Sequence, residues 1–169
     1  DTITGAAGAD VIDGGAGNDI FKYSTTALLV DSNALVDSLT GGDGTDTIQL
    51  TAATGTTLTL ASTDLIEARM ATMESITAGV SAGALSITAS AALGTDGVLT
   101  IDLSGDTSAT GANIIDVSND DGSETWTLTG SAGADTITGD GGVDTITGGG
   151  GIDTITGAAG ADVIDGGAG

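Results

Sequence analysis

In a run of units near both ends of the chain, an aspartate follows one glycine by five residues and a second glycine by two. Toward the C-terminus the units are Gly130 to Thr138, Gly139 to Thr147, Gly148 to Thr156 and Gly157 to Asp165, with a truncated Gly166-Gly-Ala-Gly169. Toward the N-terminus they are Asp1-Thr-Ile-Thr, Gly5 to Asp13 and Gly14 to Lys22. One more complete unit stands at Gly41 to Gln49, preceded by the half-match Asp37-Ser-Leu-Thr. A glycine-rich loop lets backbone carbonyls turn toward a common centre, and an aspartate adds a carboxylate. Oxygen donors of these two kinds suit a hard cation. Calcium fits better than magnesium, which dehydrates reluctantly and demands tight octahedral geometry.

The elements that must carry such loops follow from the other three residues of each unit. In Thr136-Ile137-Thr138 the period of two turns one apolar side chain inward and two small polar ones outward, as in a short strand. An apolar residue holds the eighth position in every complete unit, which a silk-like or linker tract would not do. If two units make one turn, loops 18 residues apart stack at the strand spacing of about 4.8 Å. Asp135 then shares an ion with the loop of Asp153, Asp144 with that of Asp162, and Asp1 with that of Asp19. The pairs Asp19 with Asp37 and Asp46 with Asp64 have the same spacing, although residues 22–36 and 54–64 lack the loop glycines.

The pattern resembles the RTX (repeats-in-toxin, haemolysin-type) nonapeptide, Gly-Gly-x-Gly-x-Asp-x-U-x with U a large apolar residue. The resemblance implies a parallel β-roll that binds calcium, in proteins typically exported by type I secretion from Gram-negative bacteria. The expected metal ligands are Asp1, Asp10, Asp19, Asp37, Asp46, Asp64, Asp135, Asp144, Asp153 and Asp162. Loop carbonyls join them around Gly5, Gly8, Gly14, Gly17, Gly41, Gly44, Gly130, Gly133, Gly139, Gly142, Gly148, Gly151, Gly157 and Gly160. Glycines at the first and fourth positions of each loop are expected to tolerate positive φ and let backbone carbonyls point at a shared centre.

Composition excludes other chemistry. The 169 residues contain no His, Cys or Pro, so there is no imidazole base, thiolate nucleophile, zinc site or disulfide. A net charge of -22, with Lys22 and Arg69 the only cations, opposes nucleic acid and anionic membranes as partners. No apolar run is long enough to insert in a bilayer. No catalytic residue is expected, since no nucleophile stands with a base, and acids such as Asp102, Asp106 and Asp116 read as turn residues. Asp120-Asp121 is a weak candidate for an additional ion.

Residues 50–129 lack glycine loops but keep β-branched runs such as Leu58-Thr-Leu60, Leu85-Ser-Ile-Thr88 and Trp126-Thr-Leu-Thr129, separated by turn residues. Broader solenoid rungs are favoured over a small antiparallel sandwich, because Trp126 to Thr129 runs straight into the first C-terminal unit. A short helix is expected near residues 64–74, where Asp64-Leu-Ile-Glu67 has capping-box spacing and Leu65, Ile66, Met70 and Met73 form a stripe. The expectation is thus an all-β chain: β-roll at 1–22, an irregular insertion plus one unit at 23–49, a calcium-poor solenoid-like segment at 50–129, and β-roll at 130–169.

Residues 1–17 recur without change as residues 153–169, an offset of 152. Neighbouring units differ at several positions, so this identity points to a higher-order tandem repeat. On that reading the chain is a piece cut from a continuing roll, in keeping with its lack of an initiator Met and of an export signal. The expected role is a structural or adhesive unit of a large, secreted bacterial surface protein, with calcium, adjacent copies of itself and cell-surface polysaccharide as partners. A calcium-folding export module of a secreted hydrolase or toxin is the alternative. Ice binding through the outward threonines is disfavoured, because Thr145/Thr147 should lie opposite Thr136/Thr138.

Overall fold

The computed structural model describes residues 1–24, 30–31, 34–35, 37–51, 56–59, 70–79, 84–89, 99–120, 122 and 124–169. The strands are β1 (Thr2–Thr4), β2 (Val11–Ala16), β3 (Ile20–Tyr23), β4 (Val30–Asp31), β5 (Ala34–Leu35), β6 (Ser38–Asp43), β7 (Thr47–Leu50), β8 (Thr56–Thr59) and β9 (Met70–Ala71). They continue as β10 (Ser75–Ala78), β11 (Leu85–Thr88), β12 (Thr100–Asp102), β13 (Ile114–Asp116), β14 (Thr127–Thr129), β15 (Thr136–Thr138), β16 (Thr145–Thr147), β17 (Thr154–Thr156) and β18 (Val163–Asp165).

These strands wind into a two-walled parallel solenoid. One wall is a single eight-stranded sheet, β1-β3-β7-β10-β12-β14-β16-β18. The other is β2-β6-β9 followed by β17-β15-β13-β11-β8 read in reverse. The hairpin β4-β5 supplies the antiparallel pairing. Each rung places one apolar side chain over the next: Ile3, Phe21, Ile48, Ile76, Ile101, Leu128, Ile146 and Ile164 follow one another in register along the long wall. Ile87, Ile115, Ile137 and Ile155 do so on the opposite wall.

Rung length varies. The C-terminal turns advance 18 residues, as the nonapeptide pairs require (Thr127↔Thr145, Thr136↔Thr154). Middle turns advance 25 to 28 along the long wall (Ser75↔Thr100, Thr47↔Ser75). The longer strands there carry a second inward residue, so Tyr23, Leu50 and Ala78 line up beside the first row. Leu103, Met73 and Trp126 are buried in the same core. The solenoid reading of this segment therefore holds, and the sandwich does not.

No helix occurs among the described residues. Positions 64–69 lie outside them. Met70–Ala71 is strand β9, paired with Leu39–Thr40, and Met73 is buried in the core, so the expected helix is not formed over 70–74. Met73, one residue of the expected stripe, lines the core instead.

Candidate metal centre

The residues immediately before most strands of the repeat units form two columns of polar acceptors. Asp46 Oδ1 accepts the Asp19 N–H at 2.8 Å, Asp153 Oδ1 that of Asp135 at 2.9 Å, and Asp162 Oδ1 that of Asp144 at 3.0 Å. Asp144 Oδ1 in turn accepts the Trp126 N–H, and Asp135 Oδ1 that of Asn113. Asp19 meets the amino group of Asp1. One carboxylate oxygen of each aspartate thus ties two rungs together.

The other oxygen folds back over the first glycine of its own unit. A Cβ on Gly14 would lie 2.5 Å from Asp19 Oδ2, and one on Gly130 2.7 Å from Asp135 Oδ2. The same collision recurs between Gly41 and Asp46, Gly139 and Asp144, Gly148 and Asp153, and Gly157 and Asp162. This corrects the expected role of the first glycine: it is required for the space it leaves, not for positive φ. Positive φ is found instead at second and fourth positions, as at Gly149 (105°) and Gly151 (103°), although not at Gly133 or Gly142.

Of the expected pairs, Asp1 with Asp19, Asp135 with Asp153 and Asp144 with Asp162 are brought together. Two others are not. Asp19 stacks on Asp46, 27 residues away, while Asp37 joins the opposite column and accepts the Asp10 N–H at 2.9 Å. The insertion that holds the β4-β5 hairpin lengthens this turn beyond 18 residues. The Asp46 N–H donates to Glu74 Oε2 at 2.6 Å; Asp64, the partner expected for Asp46, lies outside the described residues.

Glu74 and Asn113 are column members that the glycine pattern missed; Asn113 accepts the Leu85 N–H at 2.7 Å. Their signal was the quartet itself, since Glu74-Ser-Ile-Thr and Asn113-Ile-Ile-Asp repeat the order of Asp135-Thr-Ile-Thr.

The donor set fits calcium. Oδ2 of Asp19, Asp46 and Asp153 is shut off from solvent with no hydrogen-bond partner, which is costly for a carboxylate unless a cation completes it. Asp153 borders a cleft lined also by Gly151, Gly166, Gly167 and Gly169. Carbonyls crowd the same places: a Cβ on Gly151 would lie 2.5 Å from the Gly133 carbonyl, and one on Gly148 2.6 Å from that of Gly166. Burial pushes the Asp144 carboxyl above the usual range; hydrogen bonds from the Trp126 and Asp140 N–H groups oppose this, while the Asp140 and Asp162 charges add to it. Asp37 differs. Its Oδ2 accepts the Tyr23 hydroxyl at 2.7 Å, so both its oxygens are held by protein donors.

The RTX calcium-binding nonapeptide repeat matches four stretches, residues 1–22, 34–51, 127–155 and 138–169. No curated protein and no solved structure matches the chain. The matched stretches contain the aspartates whose second oxygens are buried without a donor, and repeats of this kind bind calcium ions. The chain therefore belongs to the RTX calcium-binding nonapeptide-repeat family, and calcium is its ion.

Proposed function

We propose that the chain is a calcium-folded architectural unit of a large secreted bacterial surface protein, stacking on further copies of itself. The observation that carries this reading is the identity of residues 1–17 with 153–169. Ile164 on the last strand β18 is 50% exposed, whereas Ile146 one rung inward is 1% exposed. RTX repeats are typical of secreted proteins, and no helix among the described residues is long and apolar enough to cross a membrane. Calcium would be held by Asp19, Asp46, Asp135, Asp144, Asp153 and Asp162 with the carbonyls of the stacked glycines. No residue is assigned a catalytic role. The outward threonines do not form one template, since β15 and β17 lie on one wall and β16 on the other.

The mechanism is control of folding by charge. Stacked carboxylates at about 5 Å repel by about 3 kcal/mol per pair at an effective dielectric near 20. The narrow one-residue core of the end rungs does not offset that together with chain entropy. Without calcium the end rolls stay unfolded, a form suited to passage through a secretion channel. At the extracellular concentrations that weak modules sense, of order 0.1 to 1 mM, calcium joins the loops and the roll closes.

Circular dichroism during a calcium titration tests the switch, with a coil-like spectrum in chelator giving way to β structure as the expected result. A spectrum indifferent to calcium overturns it. Micrographs of the calcium-loaded parent protein test the architecture: filaments or lattices support it, and isolated globular enzymes on a short rod favour the export module instead.

A further inference from the structure

One polar cluster is left over once the sixth-position aspartates are assigned. It lies where the glycine loops meet the calcium-poor middle, between the β13–β14 connection and the loop 139–144. Carboxylate oxygens of Asp120, Glu124 and Asp140 all lie within 4.8 Å of one another. Two oxygens on opposite sides of a calcium ion are about 5 Å apart, so one ion can bind all three.

Asp140 is the residue that points to a ligand. It is 3% exposed; its Oδ1 accepts the Gly142 N–H at 2.8 Å, but its Oδ2 is buried with no hydrogen-bond partner. It stands at the second loop position, where Gly15, Gly42, Gly149 and Gly167 adopt positive φ, so its side chain is not part of the repeat's own ligand set. Asp120 is 7% exposed. Lys22, the only lysine or arginine among the described residues, is on β3, four strands from β14 in the long sheet. Neutral donors are at hand: a Cβ on Gly141 would sit 2.9 Å from the Gly122 carbonyl, and one on Gly142 would strike that of Glu124. Two buried carboxylates and a half-buried one this close together are strongly unfavourable unless an ion or protons neutralise them.

We infer that Asp120, Glu124 and Asp140 form a separate calcium site that joins the C-terminal roll to the calcium-poor segment. It extends the ion column by one rung, using side chains where the repeat uses glycine carbonyls.

The test is to count calcium ions bound to the full chain by native mass spectrometry, for wild type, Glu124→Gln, Asp140→Asn and Asp153→Asn. Each of the first two substitutions is expected to remove one ion while circular dichroism still shows calcium-dependent β structure. In parallel, terbium emission excited through Trp126, the only tryptophan, should need about tenfold or more terbium, because even outer partners of metal ligands contribute that much. If Asp140→Asn fails to fold, Glu124→Gln, at a partly exposed position, decides. A wild-type ion count with unchanged terbium response in Glu124→Gln overturns the site. Asp153→Asn probes the repeat's own sites on the opposite column. An ion lost there but not in Glu124→Gln leaves the nonapeptide assignment standing and this one refuted.

Discussion

Tyr23 shows how a single side chain changes the meaning of an aspartate. Its ring fills the space above Gly5, where a Cβ would lie 2.5 Å away, and its hydroxyl donates to Asp37 in the core. Burial, then the Asp37 bond and charge, push the phenol well above its usual pKa of about 10. The neutral phenol is the form favoured by folding. Tyr23 thus contributes its full stability below about pH 10 and loses it as pH rises beyond that value. Because Tyr23 is the only tyrosine, an absorbance titration reads it directly. The calcium-loaded protein is expected to show no tyrosinate near pH 10, and to lose its β spectrum where tyrosinate finally appears; ionisation near 10 with the fold intact would contradict this burial. Tyr23→Phe leaves Asp37 Oδ2 without its donor and should cost about 1 to 3 kcal/mol in denaturant unfolding.

At the scale of one rung, glycine at the first loop position serves the carboxylate above it. Gly148 and Gly166 occupy equivalent positions in successive loops, yet their surroundings differ. A Cβ on Gly148 collides with Asp153 and the Gly166 carbonyl, whereas one on Gly166 meets nothing within 4 Å. Gly148→Ala is therefore expected to cost about 1 to 3 kcal/mol, as overpacking does, and to raise the calcium midpoint for folding several-fold. Gly166→Ala should stay within about 0.5 kcal/mol of wild type. Equal midpoints in the two variants, read by circular dichroism, would mean that the carboxylate does not fold over the first glycine. Much of this rung was legible in sequence. The inward Ile137, Ile146 and Ile155 sit where alternation put them, because side-chain direction in a strand is a local property. The partner of each aspartate beyond the 18-residue turns was not, since it depends on how much chain each connection stores.

For the whole molecule the decisive fact is where the duplicated segment lies. Residues 2–4 form β1 on the eight-stranded wall, and their copy 154–156 forms β17 on the opposite wall, six and a half turns later. In a continuous array each copy is consequently rotated by half a turn relative to the one before it, and the two walls exchange. Lys22 is the only lysine in the repeat, so electron-dense labels on it should alternate between two sides of a filament. Labels confined to one side would contradict continuous winding through the junction.

The sequence alone determined the all-β class, the inward residue of each rung, the oxygen-only ion chemistry and the identity of the two ends. Each of these is written in spacing within nine residues or in direct identity. The tertiary structure decided that Asp19 meets Asp46, that Tyr23 occupies the second oxygen of Asp37, and that Asp140 faces Asp120 and Glu124. These contacts join residues whose separation along the chain is set by loops of unequal length, and only packing of the walls fixes how those loops close.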